Sequence, residues 1–327
     1  MIKIGLLGTG HLGKIHLKLL KEIPSFEVVG FYDSNPECAQ SVAKDFKVKA
    51  FNDVESLLAV VDAVDIVTPT VSHFELASLS IRQNKHVFVE KPLVTNREHT
   101  ILLSRLASEH DVKIQVGYVE RFNPAFTTAL PYIRKPLFIE SHRISEFHLR
   151  GTDVPVVLDM MIHDIDIILH IVQSPVKRVY AGGVAVVSDW PDIANARIEF
   201  ENGCVANITA SRVALNKVRK TRIFQRDSYV SIDYLNKKVE VYNLAEPEPA
   251  LDPMAVVIGK PGGKQKQIHI ERPRVPEINA IRNELEEFAR SINENTTPTV
   301  SLLDGISSME VAFQILEQLD KNAKLYA

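Results

Sequence analysis

A glycine-rich turn near the N-terminus constrains the fold of this chain more than any other feature. The apolar segment 2–7 predicts a short buried strand, and the turn Gly8-Thr9-Gly10-His11-Leu12-Gly13 follows it directly and opens a helical pattern. In such a unit the first glycine permits the tight turn and the second lets the backbone approach a pyrophosphate. The third lets the helix lie close to the strand. The N-terminus of the helix then points at an anion.

A carboxylate after the second predicted strand makes this signal more specific. Asp33 follows the segment 26–32 at the spacing where a dinucleotide-binding fold places the carboxylate that binds the adenosine ribose. An ordinary α/β turn that binds nothing is the less favoured interpretation. The residues predicted to bind the dinucleotide are Gly8, Thr9, Gly10, His11, Leu12, Gly13 and Asp33. Asp33 would repel a 2′-phosphate and Ser34-Asn35 supply no arginine, so the predicted cofactor is NAD, with NADP less favoured.

Composition limits the class of protein and its partners. With 327 residues and 45% apolar content, the chain is long enough for two domains with substantial cores. A net charge of -3 gives no reason to expect nucleic acid or an anionic membrane as a partner. Cys38 and Cys204 have neither a metal-ligand nor a redox spacing, so we expect free thiols. Without a spanning apolar run or an export signal, the predicted location is cytoplasmic.

The order of strand and helix signals predicts two domains that meet near Phe122. In residues 1–122 strands and helices alternate, which favours a parallel sheet covered on both faces. Functional groups in such sheets lie beyond the carboxyl ends of the strands. Two segments follow buried strands in this way, 68–73 and 90–92, and they are expected to face the cofactor. The predicted contacts there are Thr68, Pro69, His73, Glu90 and Lys91.

Residues 123–327 follow a different pattern and form the second predicted domain. Extended segments predominate, and a single helix, 157–172, interrupts them. This favours an antiparallel sheet with a helical layer. The segment 244–266 is rich in proline and glycine and is expected to be a long flexible excursion. Two amphipathic helices are predicted to close the chain.

The helix 157–172 carries the residues best suited to chemistry. Asp159, His163, Asp166 and His170 recur at spacings of four, three and four, which places them on one helical face. Three interpretations remain open: a metal site, solvated polar residues, or an imidazole that works as an acid or base beside an orienting carboxylate. The third is favoured, and no metal is predicted.

Two basic features, Lys91 and the segment 217–226, could each be either functional or simply solvated. Lys91 could simply be solvated, but between Glu90 and Pro92 at the mouth of the nucleotide crevice it would bring a positive charge to a developing alkoxide. The basic residues of the segment 217–226 could meet a substrate phosphate. A solvated strand face is the favoured interpretation for that segment.

Five motifs in one order carry a resemblance to a known family. They are Gly8-Thr9-Gly10-His11-Leu12-Gly13, Thr68-Pro69-x-x-x-His73, Glu90-Lys91-Pro92, Arg121-Phe122-Asn123-Pro124 and Asp159-x-x-x-His163-Asp164-x-Asp166. In this order the chain resembles the glucose-fructose oxidoreductase/inositol dehydrogenase (Gfo/Idh/MocA) family, and the resemblance covers nearly the whole chain.

The resemblance implies a fold, a reaction and a set of site residues. The implied fold is an α/β Rossmann N-terminal domain plus an α+β C-terminal domain with a large open, mainly antiparallel sheet, assembled as a homodimer or homotetramer. The implied reaction is NAD(P)-dependent oxidation of a sugar hydroxyl or reduction of the matching ketone. Lys91, Asp159 and His163 are the implied catalytic residues. The implied substrate contacts are Lys91, Tyr118, Arg121, Asn123, Asp159 and His163.

Within that family, two segments narrow the expected substrate. The segments 116–124 and 158–166 are most similar to the UDP-N-acetylglucosamine 3-dehydrogenase subgroup, although Tyr118 stands where that subgroup is expected to carry histidine. A sugar or sugar-nucleotide dehydrogenase is therefore the expected function. A reductase of a non-carbohydrate ketone and a non-enzymatic NAD-sensing protein are the alternatives. The acid/base residues count against the sensor, which has no need of them.

Overall fold

The computed structural model describes residues 1–147, 154–246, 256–259 and 265–326. The chain forms two compact units, which we call the N-terminal unit (Met1–Phe122 with Asn279–Phe313) and the C-terminal unit (Asn123–Ile278 with Gln314–Ala327). The sequence-based division into 1–122 and 123–327 has the same boundary after Phe122. It differs in that the structure groups Asn279–Phe313 with the N-terminal unit.

The N-terminal unit is built on a sheet of five parallel strands. Their bounds are β1 Ile2–Leu7, β2 Phe26–Tyr32, β3 Ala63–Ile66, β4 His86–Glu90 and β5 Ile114–Gly117. The order across the sheet is β2-β1-β3-β4-β5. All four pairings are parallel, so the carboxyl ends of the five strands lie at one edge of the sheet. The predicted Rossmann-type α/β fold is confirmed.

Helices connect these strands, and short polar caps fix where several of them begin. The helices are α1 His11–Glu22, α2 Pro36–Phe46, α3 Val54–Leu58, α4 His73–Arg82 and α5 Arg97–Glu109. The side chains of Asn35, Asp53 and Asn96 accept hydrogen bonds from backbone N–H groups in the first turns of α2, α3 and α5. These bonds satisfy N–H groups that the helix itself leaves without an acceptor.

Residues near the C-terminus complete the core of the N-terminal unit. Helix α8, which we number after the elements of the C-terminal unit, spans Ala280–Asn293. Its Leu285 and Phe288 are fully buried in the same cluster as Ile4 and Leu17. The side-chain amide of Gln115 also donates to the backbone carbonyl of Glu284 at 2.8 Å. The apolar face of α8 is therefore buried against a sheet that lies far from it in sequence.

The C-terminal unit is built on a sheet of nine strands. They are β6 Phe138–Ile144, β7 Val176–Val184, β8 Ile193–Phe200, β9 Val205–Ser211, β10 Val218–Phe224, β11 Ser228–Asp233, β12 Lys238–Ala245, β13 Val256–Gly259 and β14 Gln265–Glu271. The order is β13-β14-β12-β11-β10-β6-β9-β8-β7. The β6–β9 pairing is parallel, and the other pairings between described strands are antiparallel. The predicted large, mainly antiparallel sheet is confirmed.

Part of the predicted flexible excursion belongs to this sheet. Strand β12 continues to Ala245, and β13 and β14 pair with each other and extend the edge next to β12. The prediction of a long flexible excursion over 244–266 is therefore wrong for these residues, whereas 247–255 and 260–264 lie outside the described residues. The prolines and glycines of 244–266 led to this prediction, whereas the β-branched run 256–258 is typical of a strand and pairs with β14.

The remaining helices are α6 Pro124–Ala129, α7 Ile162–Val172 and α9 Leu302–Tyr326. The predicted regular helix 157–172 is wrong in its first turn, because Val157–Met161 forms a π-helical turn before α7 begins. A π turn holds more residues than an α-helical turn and often occurs at functional sites. Asp159 and His163 therefore lie across this change of helix type.

Candidate active site

The glycine turn after β1 has the geometry of a dinucleotide cradle. Gly8 has φ +92°, and a Cβ there would lie 2.8 Å from the carbonyl oxygen of Val67. A Cβ on Gly13 would overlap the carbonyl oxygen of Gly8, so the close approach of helix to strand needs glycine at both positions. At Gly10, by contrast, no described atom lies within 4 Å of the added Cβ. The turn is rigid on its protein side and open where a ligand would approach.

The start of helix α1 faces this open space. Gly10 is its N-cap, and no side chain caps the helix. The backbone N–H groups of the first turn are therefore available to an anion, and the helix dipole favours negative charge there. His11 is exposed and Leu12 is half-buried, so both remain candidates for contact through the turn. These features fit the pyrophosphate of NAD.

Asp33 lies beside the turn and is held by it. Its Oδ2 accepts hydrogen bonds from the backbone N of Thr9 at 2.7 Å and from Thr9 Oγ1 at 2.6 Å. Its Oδ1 accepts from the backbone N of Asn35 at 2.9 Å. Burial raises the pKa of Asp33, but these hydrogen bonds outweigh that effect and lower the pKa below its ordinary value. An ionised acceptor thus stands at the position that recognises an adenosine ribose.

The segment after β3 is braced by a buried histidine. His73 has an exposed fraction of 1%, and its Nε2 lies 2.8 Å from the carbonyl oxygen of Thr68. Ser72 precedes α4 at the capping position, but its hydroxyl donates to Thr68 Oγ1 at 2.8 Å and makes no capping hydrogen bond to the helix. Pro69 is exposed. Direct contact of Thr68, Pro69 and His73 with the cofactor stays a prediction, but His73 holds the backbone of this segment.

Lys91 follows β4 at the same edge of the sheet. It is half-buried, and its backbone N donates to Glu90 Oε2 at 3.2 Å. Because the five strands are parallel, the turn after β1, Asp33 after β2, Thr68 after β3 and Lys91 after β4 all lie at the carboxyl edge of one sheet. This is the edge where ligands bind in open α/β sheets.

A buried ionisable cluster lies beneath this edge, and sequence reasoning missed it. His16 Nδ1 on α1 lies 2.9 Å from Asp65 Oδ2 on β3, and His16 Nε2 lies 3.3 Å from Glu90 Oε1 on β4. Burial lowers the pKa of His16, but the two carboxylates outweigh it and raise the pKa well above its ordinary value. The available signal was polar residues at positions whose neighbours are all apolar, namely His16 in the buried face of α1 and Asp65 within β3.

Three further predicted contacts have structural roles. Tyr118 is fully buried, and Arg121 has an exposed fraction of 5% and forms an ion pair with Asp304 at 3.5 Å. Asn123 Oδ1 caps α6 by accepting from the backbone N of Ala125 at 3.0 Å. Their contact with a substrate stays a prediction.

The helix of the C-terminal unit carries the predicted acid/base residues. Asp159 and His163 are half-buried, and Asp166 has an exposed fraction of 1%. Sequence reasoning gave no role to Asp164, which accepts from Arg143 Nε at 2.7 Å and from Ser141 Oγ at 2.8 Å. This buried ion pair connects α7 to β6. The pair anchors the start of α7, which carries His163 and directly follows the π turn that carries Asp159.

His170 is the last residue of the predicted polar face, and its contacts bear on whether that face could hold a metal. The His170 ring lies 6.1 Å from the ring of Phe126, centroid to centroid, so it belongs to a packed aromatic contact. Within the described residues, no group of three or more His, Cys, Asp or Glu side chains is arranged to hold a metal ion.

Comparison with known proteins decides the family. Residues 2–118 match the Gfo/Idh/MocA oxidoreductase family, NAD-binding Rossmann fold, and residues 140–227 match the Gfo/Idh/MocA C-terminal domain. The chain belongs to this family. The predictions of the family, of NAD as the cofactor and of a dehydrogenase that acts on CH–OH groups are confirmed.

Several relatives of known activity cover most of the chain. A UDP-N-acetylglucosamine 3-dehydrogenase from Acidithiobacillus ferrooxidans is 34% identical over 89% of this chain and 88% of its own. A crystal structure of that enzyme has a TM-score of 0.87 at 30% identity, with 98% of each chain covered. A scyllo-inositol 2-dehydrogenase (NAD(+)) from Bacillus subtilis is 26% identical over 95% of this chain and 92% of its own. In the part of the chain that the structure describes, no helix combines the length and apolar character needed to cross a bilayer.

Proposed function

We propose that this protein oxidises a secondary hydroxyl of a sugar nucleotide with NAD, and that the substrate hydroxyl is the 3-hydroxyl of UDP-N-acetylglucosamine. The observation that carries the proposal is the place of Lys91, at the same sheet edge as the glycine turn and Asp33. A cation at that edge suits an alkoxide that develops beside the nicotinamide. The proposed substrate follows from the relative that is 34% identical over 89% of the chain.

Each catalytic residue has a separate role in this proposal. NAD, when bound, supplies the acceptor for the hydride that leaves the carbinol carbon. His163 takes the hydroxyl proton as a general base, since a neutral imidazole accepts a proton near neutral pH. Asp159 orients that imidazole or holds the substrate hydroxyl. Lys91 stabilises the negative charge on the oxygen until the carbonyl forms.

The remaining predicted contacts divide into cofactor and substrate residues. Gly8, Gly10 and Gly13 shape the pyrophosphate site, and Asp33 binds the ribose. Tyr118 and Arg121 would act at the edge of the substrate site. Because both are nearly fully buried, we expect them to shape the site rather than to bind the exposed parts of a nucleotide.

A substrate screen with purified protein tests the proposal. NADH absorbance is followed with NAD and, in turn, UDP-N-acetylglucosamine, UDP-glucose, free N-acetylglucosamine and scyllo-inositol. We expect turnover with UDP-N-acetylglucosamine. Mass spectrometry of the product should show that the sugar has lost two hydrogen atoms, one as the hydride and one as the proton. The matched control is the 3-deoxy analogue, which should bind without being oxidised. Turnover of the 3-deoxy analogue would show that another hydroxyl reacts.

Other results of the same screen would redirect the assignment. Activity with scyllo-inositol and none with UDP-sugars would replace the sugar nucleotide by a free polyol. Silence with every carbohydrate would favour the reductase of a non-carbohydrate ketone, which is tested by NADH oxidation with ketones. Tight NAD binding with no turnover of any compound would favour the non-enzymatic sensor.

We also propose that the protein is a cytoplasmic homodimer or homotetramer. The loop that joins β7 and β8 presents exposed apolar side chains, Val186, Val187 and Trp190, which would suit burial in an interface. Light scattering after size-exclusion chromatography measures the mass in solution. A monomer at micromolar concentration would refute the oligomer.

A further inference from the structure

Lys91 lies between Glu90 and Pro92, and each of these two residues contacts a buried histidine. On its N-terminal side is Glu90, which ends β4 and is 8% exposed. On its C-terminal side is Pro92, whose carbonyl oxygen lies 2.9 Å from His73 Nδ1. His16 and His73 are themselves almost completely buried. The two histidines come from different helices, α1 and α4.

On the N-terminal side, Glu90 contacts both His16 and the backbone of Lys91 through its two carboxylate oxygens. One oxygen of the Glu90 carboxylate, Oε1, faces His16 Nε2 at 3.3 Å, and the other, Oε2, accepts from the backbone N of Lys91 at 3.2 Å. His16 is in turn bound to Asp65 at 2.9 Å. A continuous series of polar contacts therefore connects β3 and α1 to the peptide group of Lys91.

The neighbouring strand leaves room for this carboxylate. Gly117 on β5 is the register partner of Glu90. A Cβ on Gly117 would lie 2.9 Å from the Glu90 carboxyl carbon, which is closer than side-chain carbons normally approach. Glycine at position 117 therefore leaves free the space in which the Glu90 carboxylate contacts both His16 and Lys91.

The His73 side holds the backbone beyond the lysine. Its two ring nitrogens lie near the carbonyl oxygens of Pro92 and Thr68, at 2.9 and 2.8 Å. Burial lowers the pKa of His73, and the two carbonyl acceptors, which favour the charged ring, offset this only in part. His73 thereby connects the segment after β3 to the segment after β4.

We infer that His16, acting through Glu90, is a positioning residue for Lys91, and that the cluster His16–Asp65–Glu90 sets where the Lys91 ammonium group stands in the reaction. This inference rests on the proposed role of Lys91. Positioning is worth a large factor in rate, since a displacement of about 1 Å at a reacting group can cost about 100-fold. A buried charged cluster that served stability alone would not need to end at the backbone of a catalytic lysine.

Two substitutions of His16 separate positioning from stability. The amide nitrogen of glutamine reaches the place of Nε2, which faces Glu90, whereas that of asparagine reaches the place of Nδ1, which faces Asp65. We expect His16→Asn to lower kcat about 10- to 100-fold. His16→Gln should retain most of the activity, and both variants should bind NAD with a Kd near that of the wild type. His110→Asn is the control, because His110 bonds Asn84 at the surface.

A third variant tests the same contact without changing an ionisable group. Gly117→Ala pushes against the Glu90 carboxylate, so kcat should fall as in His16→Asn while KM changes little. If His16→Asn and His16→Gln have the same kcat, or if Gly117→Ala keeps the wild-type kcat, the inference is overturned. Thermal unfolding of each variant shows whether it is folded at the assay temperature, and Gly117→Ala decides the question if the His16 variants do not fold.

A chemical readout keeps this inference separate from the proposed function. Brief modification with acetic anhydride, followed by peptide mass spectrometry, gives the rate at which Lys91 reacts relative to the exposed Lys44 in the same molecule. We expect this ratio to change about threefold or more in His16→Asn and Gly117→Ala, because a displaced Lys91 ammonium group would stand in a different environment. An unchanged ratio overturns the inference even if no substrate is found. A changed ratio in an enzyme that oxidises no sugar would overturn only the proposed function.

Discussion

The choice of NAD over NADP gives the sharpest test of the nucleotide site. The perturbation is Asp33→Asn, which removes the negative charge and keeps the shape of the side chain. Three of about four lone-pair positions on the Asp33 carboxylate already accept from Thr9 and Asn35, which leaves about one, on Oδ1, for the ribose. The structure therefore limits the ribose contact to about one strong hydrogen bond.

This count fixes the expected magnitudes. A hydrogen bond to a charged group is worth about 1.5–3 kcal/mol and one to a neutral group about 0.5–1.5 kcal/mol, so Asp33→Asn should weaken NAD by about 1 kcal/mol, or about fivefold. For NADP, the lost repulsion between the carboxylate and each unit of phosphate charge at a separation of about 4 Å is about 1 kcal/mol in water and about 4 kcal/mol at an effective dielectric constant of 20. Since Asp33 is half-buried, the gain should lie between these limits.

Isothermal titration calorimetry with NAD and NADP measures both changes. We expect the ratio of the two Kd values, NADP over NAD, to fall about tenfold or more in Asp33→Asn. Asp45→Asn, on the exposed side of α2, is the matched control and should leave both Kd values unchanged. A wild-type protein that binds NADP more tightly, or a ratio that does not move in Asp33→Asn, would refute the reasoning.

Three further predictions follow from the same structure. His163→Ala should lower kcat about 10²- to 10⁴-fold with an unchanged Kd for NAD, and a loss of only a few-fold in steady-state assays would make His163 structural. Lys91→Ala should lower kcat about 10²-fold or more, as removal of a charge-stabilising donor does, and stopped-flow measurement of hydride transfer would contradict this if the step kept its rate. Asp192→Asn should destabilise the fold by about 3–5 kcal/mol in urea unfolding, because it leaves the buried Arg212, 2.8 Å away, without its counter-charge. Burial raises the pKa of Asp192, but hydrogen bonds from Ser188, Val187 and Arg212 outweigh it and lower the pKa. This stability is therefore fully present above about pH 4 and declines progressively as the pH falls below that value. A wild-type stability that did not fall in acid would count against the assignment.

Much of the nucleotide site could be predicted because its constraints are local in sequence. Gly8 needs a positive φ, Gly13 needs to lack a Cβ, and both requirements arise within one strand–turn–helix unit. Asp33 follows the next strand, and the two strands pair directly. A short stretch of sequence was therefore enough to specify the cradle and its acidic acceptor.

The site in the C-terminal unit was less accessible to sequence reasoning. A regular helical spacing predicted one polar face, but the π turn Val157–Met161 changes the direction of the side chains before α7 begins. Asp164 looked like one more polar residue, yet it bonds Arg143, 21 positions earlier in the chain. Nothing in the local pattern identifies a partner at that separation.

The amino-acid sequence by itself determined the order of strands and helices in the N-terminal unit and the glycine turn after its first strand. The tertiary structure decided which distant residues meet. It placed α8 on the parallel sheet, added β13 and β14 to the second sheet, and brought His16 to Asp65, 49 positions away. The physical reason is that a turn is constrained by the dihedral angles of its own residues, whereas a buried charge or an apolar helix face is stabilised by whichever partner the folded chain brings to it.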